Sequence, residues 1–237
     1  MVSIYPRSCL IIFFTVISLS ISIATSAAQD TQKSSLNGQL TKEETSQFLA
    51  RLVEVRKQAG DSEVSFREKR IFPFMNQPVE STGTLAFHPP NSFRRNVNQG
   101  SLTISNGKTL WIYDPALQQL EIYDLAQIPS LRDALTAMTA ALSADQLPTL
   151  FTCTLYRNNN GNTTLSLIPR TAAVRKVASK VILVLRPNLS AAQLEIYSPQ
   201  GDQTLTTFGQ ESHTRFSPET FEFRPPPGTR ISRPLAN

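Results

Sequence analysis

The stretch "NGKTLWIYDPALQQLEIYD", residues 106–124, carries the single Trp of the chain and decides how the rest is read. Asn106-Gly107 is a turn signal and Asp114-Pro115 a break, so two short strands oppose each other across a hairpin. A sheet that is wet on one face alternates apolar with polar residues. Here Leu110, Trp111, Ile112 and Tyr113 follow one another without a polar interruption. Both faces of this strand must therefore meet something apolar. With a four-residue loop at Asp114–Leu117, Tyr113 pairs with Gln118, Trp111 with Leu120, and Thr109 faces Ile122. That register puts Trp111, Leu120 and Ile122 on one face, and leaves Leu110 and Ile112 on a second, partly wet face; a bulge in the loop would exchange the two.

Outward from this hairpin the pattern is mostly strand. "VSFREKRIF", "VESTGTLAFHPP", "SFRRNV" and "SLTISNGKTLWIY" are short, rich in β-formers and divided by Pro, Asn and Gly. After residue 150 the pattern resumes with "FTCTLYR", "TTLSLIPR", "KVILVLR", "QLEIYSPQGD", "QTLTTFGQ" and "TFEFRPPPG". Two segments break it with helical periodicity. "TKEETSQFLARLVEVRKQ" has Thr41 as N-cap with Glu44 three residues on, a capping box, then a stripe of Phe48, Leu49, Leu52, Val53 and Val55 that Gly60 ends. "PSLRDALTAMTAALSADQLPTLF" repeats Leu131, Leu135, Met138 and Leu142 at three- and four-residue steps, between Pro129 and Pro148. The expected fold is α+β, with a large antiparallel sheet of about ten or eleven strands.

The N-terminus reads as an address rather than as fold. "CLIIFFTVISLSISIA" is apolar and preceded by one charge, Arg7; "TSAAQ" then offers a small-residue cleavage site at Ala27 or Ala28. The run is shorter than the ~20 residues a spanning helix needs, and Cys9 stands before it rather than at its end, so a lipid-anchored N-terminus is not expected. The organisation expected is a cleaved signal peptide at 1–28, a flexible segment at 29–40 and one domain at 41–237. Cleavage lowers the formal charge from +5 to +4 and leaves Cys153 as the one thiol, which excludes an internal disulfide. The paired cations (Arg94-Arg95, Lys69-Arg70, Arg175-Lys176) are dispersed, and no nucleic-acid partner is expected.

Catalysis finds no support. His88 and His213 have no second ligand at helical spacing, and no HExxH, CxxC, GxSxG, P-loop or GxGxxG occurs. Cys153 alternates within a strand as a small buried hydrophobe. An enzyme, a metal site and a cofactor are not expected.

"HPPNSFRRNV" followed by "SLTISNGKTLWIYDPALQQ", with the closing "FEFRPPPGTRI", resembles the LolA family of periplasmic lipoprotein carriers. The resemblance implies a strongly curved, incomplete antiparallel β-barrel whose open side is covered by helices. Between them, an apolar hollow would shield the acyl chains of a lipoprotein on its way to the outer membrane of a Gram-negative bacterium. It also implies a monomer that meets an inner-membrane release complex and an outer-membrane acceptor. On this resemblance Phe93 matches a hollow-lining phenylalanine, with Leu85 and Phe87 on the preceding strand and Val97 on the same face as Phe93. Trp111, Leu120 and Ile122 are assigned to the hollow, and Leu131, Leu135, Met138 and Leu142 to a movable lid. One departure stands out. The family has a basic residue, usually arginine, before the proline of its Pro-Asn turn, where it ties lid to sheet; this chain has Pro89. Arg95 either supplies a displaced latch or snorkels to the rim. The departure keeps a second reading open: a module that carries or senses another lipid or acylated ligand, such as a glycolipid, a polyene or an envelope-stress signal.

Overall fold

A computed structural model describes residues 38–234, apart from the side chains at 137, 138 and 140–143. The expected signal peptide and most of the flexible segment lie outside the described residues. Helix α1 (Lys42–Ala59) opens with the capping box the sequence announces. The Glu44 amide donates to Thr41 Oγ1 at 3.2 Å, and the Thr41 amide donates to Glu44 Oε2 at 2.9 Å. Gly60, at φ 64°, ends it in a conformation that a side chain would strain.

Six strands follow: β1 (Ser62–Ile71), β2 (Val79–His88), β3 (Ser92–Val97), β4 (Leu102–Asn106), β5 (Thr109–Asp114) and β6 (Gln119–Asp124). Then come α2 (Pro129–Ser143), α3 (Leu147–Leu150), β7 (Phe151–Arg157), β8 (Thr163–Pro169), α4 (Ala172–Arg175), β9 (Lys180–Leu185), β10 (Ala191–Tyr197), β11 (Gln203–Phe208) and β12 (Arg230–Ser232). The second helical segment is thus shorter than its sequence pattern: it breaks at Ala144, where φ is 65°. "TFEFRPPPG" is not a strand. A 3₁₀ turn at Pro218–Phe221 runs into its first two residues, and β12 forms later, at Arg230.

The twelve strands make one sheet in the order β12-β6-β5-β4-β3-β2-β1-β11-β10-β9-β8-β7. All pairings are antiparallel except that of β12 with β6. The sheet does not close: β12 and β7 are its two edges. It must nevertheless curl. Phe93 on β3 and Phe151 on β7 line one cavity, although seven strand steps separate them; in a flat sheet those steps would span about 34 Å. The structure is therefore a curved, unclosed antiparallel sheet with its helices on the concave side.

The hairpin at 106–124 resolves why β5 is apolar throughout. Its pairs are Trp111 with Ile122 and Tyr113 with Leu120, two residues away from the expected register, because the loop occupies 115–118. A shift of two preserves the faces, so Trp111, Leu120 and Ile122 do share one. That face is the convex one, not the hollow. Trp111 packs with Phe216 and Phe223 around buried Ala86, Ile104 and Phe221, and the Phe223 ring lies 5.1 Å from that of Tyr113. Leu110 and Ile112, expected to be partly wet, are buried on the concave face with Tyr123, Leu125, Leu131 and Leu135. A C-terminal strap over residues 213–229 supplies the outer cover. Asp61 accepts from the Phe216 amide at 2.8 Å, Arg94 donates to the Thr220 carbonyl at 3.3 Å, and β12 ends the strap.

Candidate functional site

The concave face divides into two packed regions with a hollow between them. Over β7–β9, α1 inserts Leu49 and Leu52 among Leu155, Leu165, Leu183 and Leu185. Over β2–β6, α2 inserts Leu131 and Leu135 against Phe87, Phe93, Leu110 and Ile112. The hollow has a volume of about 130 Å³. Ala134, Leu135 and Thr139 of α2 form one side; Leu85, Phe93, Leu167, Val181, Leu194 and Ile196 of the sheet form others; Val174, Val177 and Ala178 of the β8–β9 connection complete it.

Besides the Thr139 and Thr204 hydroxyls, a charged cluster interrupts this apolar lining. Arg95 Nη2 donates to both carboxylate oxygens of Glu68, at 3.0 and 3.1 Å, and Arg70 Nε stands 3.6 Å from the same carboxylate. The Thr206 hydroxyl completes the set, 3.5 Å from Glu68. The Arg95 guanidinium lies over the Phe66 ring, 4.7 Å from its centre, a cation–π arrangement. That ring can take its place because Gly83 has no side chain: a Cβ there would fall 2.7 Å from it. Burial pulls the Arg95 guanidinium below its ordinary value; Glu68 opposes this and the Arg70 charge adds to it. Arg95 is therefore no rim residue. Its side chain is 14% exposed, and it faces the hollow paired with Glu68 of β1.

A second buried pair fixes α1. Arg56 Nη1 and Nη2 donate to the two oxygens of Glu211 at 2.7 and 2.6 Å, a fork-to-fork geometry. Burial alone would raise the Glu211 carboxyl, but the hydrogen bonds and charge of Arg56 hold it below the usual carboxylate range. This pair borders a smaller cavity of about 30 Å³ with Leu52, Leu85 and Phe87.

The expected site residues are therefore distributed unevenly. Leu85, Phe93 and Leu135 meet at the hollow with Arg95, and Phe87 and Leu131 pack beside it. Val97 shares the Phe93 face by alternation but sits at the far end of β3, against Gly100. Trp111, Leu120 and Ile122 are on the opposite face, where the strap rather than cargo space is their neighbour. Met138 and Leu142 belong to α2, but their side chains lie outside the described residues. The β7–β11 contribution (Leu167, Val181, Leu194, Ile196, Thr204, Thr206) was not anticipated. Glu68 was legible in principle, since "SFREK" puts it on the Phe66 face of an alternating strand. Among the described residues, no group of three His, Cys, Asp or Glu is placed to hold a metal ion.

Residues 63–224 match the family model described as outer membrane lipoprotein carrier protein LolA. The chain belongs to the LolA family. The outer-membrane lipoprotein carrier protein of Bordetella pertussis is 28% identical over 172 residues, covering 70% of this chain and 77% of that protein. The protein of the same description from Azotobacter vinelandii is 32% identical over 81 residues, covering 33% of this chain and 39% of its own length. Among solved structures, an uncharacterized conserved protein from Thermus thermophilus superposes with a TM-score of 0.49 at 13% identity, covering 80% of this chain and 99% of that one. The LolA family description is that of a carrier and not of an enzyme.

Proposed function

We propose that this LolA-family chain is a periplasmic carrier that shields acyl chains of lipoproteins in its hollow and passes them towards the outer membrane. The observation that carries the reading is an apolar hollow of about 130 Å³ roofed by α2. An acyl chain in water costs about 0.8 kcal/mol per CH₂, so ~16 carbons cost on the order of 12 kcal/mol. A protein cavity of about 150 Å³ holds one benzene-sized molecule, so the hollow as it stands admits only a fragment of such a chain. Loading therefore requires α2 to lift away, which makes α2 the lid. The Arg95–Glu68 pair would face the cargo once it has entered, and suits an ester or amide carbonyl at that depth. Export by a signal peptide cleaved after Ala27 or Ala28, a single folded unit after it, and exchange with an inner-membrane release complex and an outer-membrane acceptor belong to the same proposal.

Native mass spectrometry with lipid extraction, on protein taken from its own periplasm, tests it. Bound triacylated lipoprotein is the expected result. A glycolipid or polyene would replace the cargo assignment, and protein that stays empty when offered acylated peptide would overturn the carrier reading.

A further inference from the structure

The strand register sorts the loops onto two rims. Ile71 pairs with Gln203, Tyr197 with Lys180, Arg70 with Val79 and Asp114 with Gln119. The β1–β2 loop, the β3–β4 turn, the β5–β6 loop, the β8–β9 connection and the β10–β11 turn therefore share one rim, together with the start of β12. Among the described residues, the exposed large apolar side chains are Ile71, Phe74, Met75, Leu117, Ile168 and Ile231. All of them lie in these loops or at the strand ends that enter them. The opposite rim is made of polar turns such as Asn158–Asn162 and Arg186–Ser190 and holds none of them.

The apolar tips are presented rather than incidental. Phe74 is 68% exposed, and its ring stacks at 5.5 Å on buried Phe72; Pro73 rests against Gly201 of the neighbouring turn. Leu117 is 56% exposed on a loop that Asp114 braces by accepting the Ala116 and Leu117 amides. Cations sit beside these tips. Arg230 donates to the Leu117 carbonyl at 3.4 Å, and Arg170, Arg175 and Lys176 are exposed on the β8–β9 connection. The acids of the same connections are Asp114, whose carboxylate braces the β5–β6 loop, and Asp202; Glu80 at the β2 entrance is paired with Lys69 at 2.8 Å. The rim is thus basic and apolar together.

We infer that this rim docks on an anionic lipid surface, with Phe74, Met75 and Leu117 entering the interface and Arg170, Arg175, Lys176 and Arg230 meeting the headgroups. Separate apolar tips along an arc, with cations between them, match a plane of negative charge better than a single partner groove. The same rim also bounds the hollow, because Val177 and Ala178 of the β8–β9 connection line it. Docking would bring the wall of the hollow to the membrane; that use rests on the carrier function proposed above, whereas the surface contact does not.

The test is co-sedimentation of the mature chain with phosphatidylcholine vesicles, with and without phosphatidylglycerol. Binding is expected only with the anionic lipid, and it should fall steeply with salt. Phe74→Ser with Leu117→Ser should weaken it about tenfold, and Arg175→Gln with Lys176→Gln should reduce the preference for anionic lipid. None of these four residues lines the hollow, so each variant should keep the urea midpoint and the affinity for a fluorescent fatty acid. Equal sedimentation of wild type and the Phe74/Leu117 variant, or no sedimentation with either vesicle, overturns the inference. Capture only by vesicles that contain a membrane protein would assign the rim to that protein and overturn it equally. A wild type that ignores the fluorescent fatty acid but binds vesicles would sink the carrier reading alone.

Discussion

Helix α1 reaches the sheet through buried leucines and a bidentate Arg56–Glu211 pair, whereas α2, among the described residues, reaches it through leucines and the Thr139 hydroxyl. Both cover the concave face, but the charged residues of α2, Arg132 and Asp133, spend their charge on each other at 3.1 Å. Thr139 Oγ1 donates to the Leu135 carbonyl of its own helix at 3.1 Å and stands 3.4 Å from Asn91 Oδ1 at the β3 entrance. Apolar packing is non-directional and survives sliding; a buried fork-to-fork ion pair has one geometry and is costly to break. On the function proposed above the two helices divide the labour, with α1 as a fixed plug and α2 as the roof that moves.

The largest expected effects test that division. Leu52→Ala should cost about 4 kcal/mol in urea unfolding, since Leu52 is 1% exposed in a packed cluster. Leu135→Ala, in a side chain that borders the larger hollow of about 130 Å³ rather than the 30 Å³ cavity beside Leu52, should cost about 2 kcal/mol and speed exchange of a bound fluorescent fatty acid. Equal costs, with exchange unchanged, would erase the distinction between plug and roof.

Next comes Glu211→Ala, which leaves Arg56 buried without its partner and should cost about 3 kcal/mol. The pH dependence has a definite sign. The folded carboxyl lies below its ordinary value of 4.5, so its contribution is present above about pH 4.5 and is lost as pH falls through the folded pKa. Wild type should therefore lose urea resistance on acidification more steeply than Glu211→Gln; parallel curves would remove the pair from the account.

Smaller is Thr139→Val. Loss of the hydroxyl tie to Asn91 should accelerate probe release two- to threefold, on the order of 0.5 kcal/mol, with little change in global stability. Smallest is Cys153, whose thiol burial pushes up to about 11. It should react slowly with a thiol reagent at pH 8 in the native chain and promptly in urea; fast native reaction would mean that the α3–β7 region opens readily.

Much of this was readable from residues. The Thr41–Glu44 capping box, the Leu49–Leu52 stripe and the positions of strands β1–β5 follow from local chemistry, and the structure bears them out. The face of Trp111 was not readable. Alternation groups Trp111 with Leu120 and Ile122, but which side is concave depends on a strap about 100 residues later in the chain. Pattern reading took "TFEFRPPPG" for a strand, although its run of prolines cannot donate to a ladder. The β7–β11 wall of the hollow was missed for a related reason. "KVILVLR" alternates equally well in a filled core and beside a void, because a cavity is a property of what fails to meet across it.

The strap has a further consequence for how the chain is assembled. Synthesis makes β6 more than 100 residues before β12, so the outer edge of β6 and the aromatic face of β5 stay bare until residues 213–232 arrive. An unpaired edge beside exposed Trp111 and Tyr113 is a template for other chains. The strap therefore guards that edge, and a chain that stops before residue 213 would leave the β6 edge and the aromatic face of β5 open to self-association.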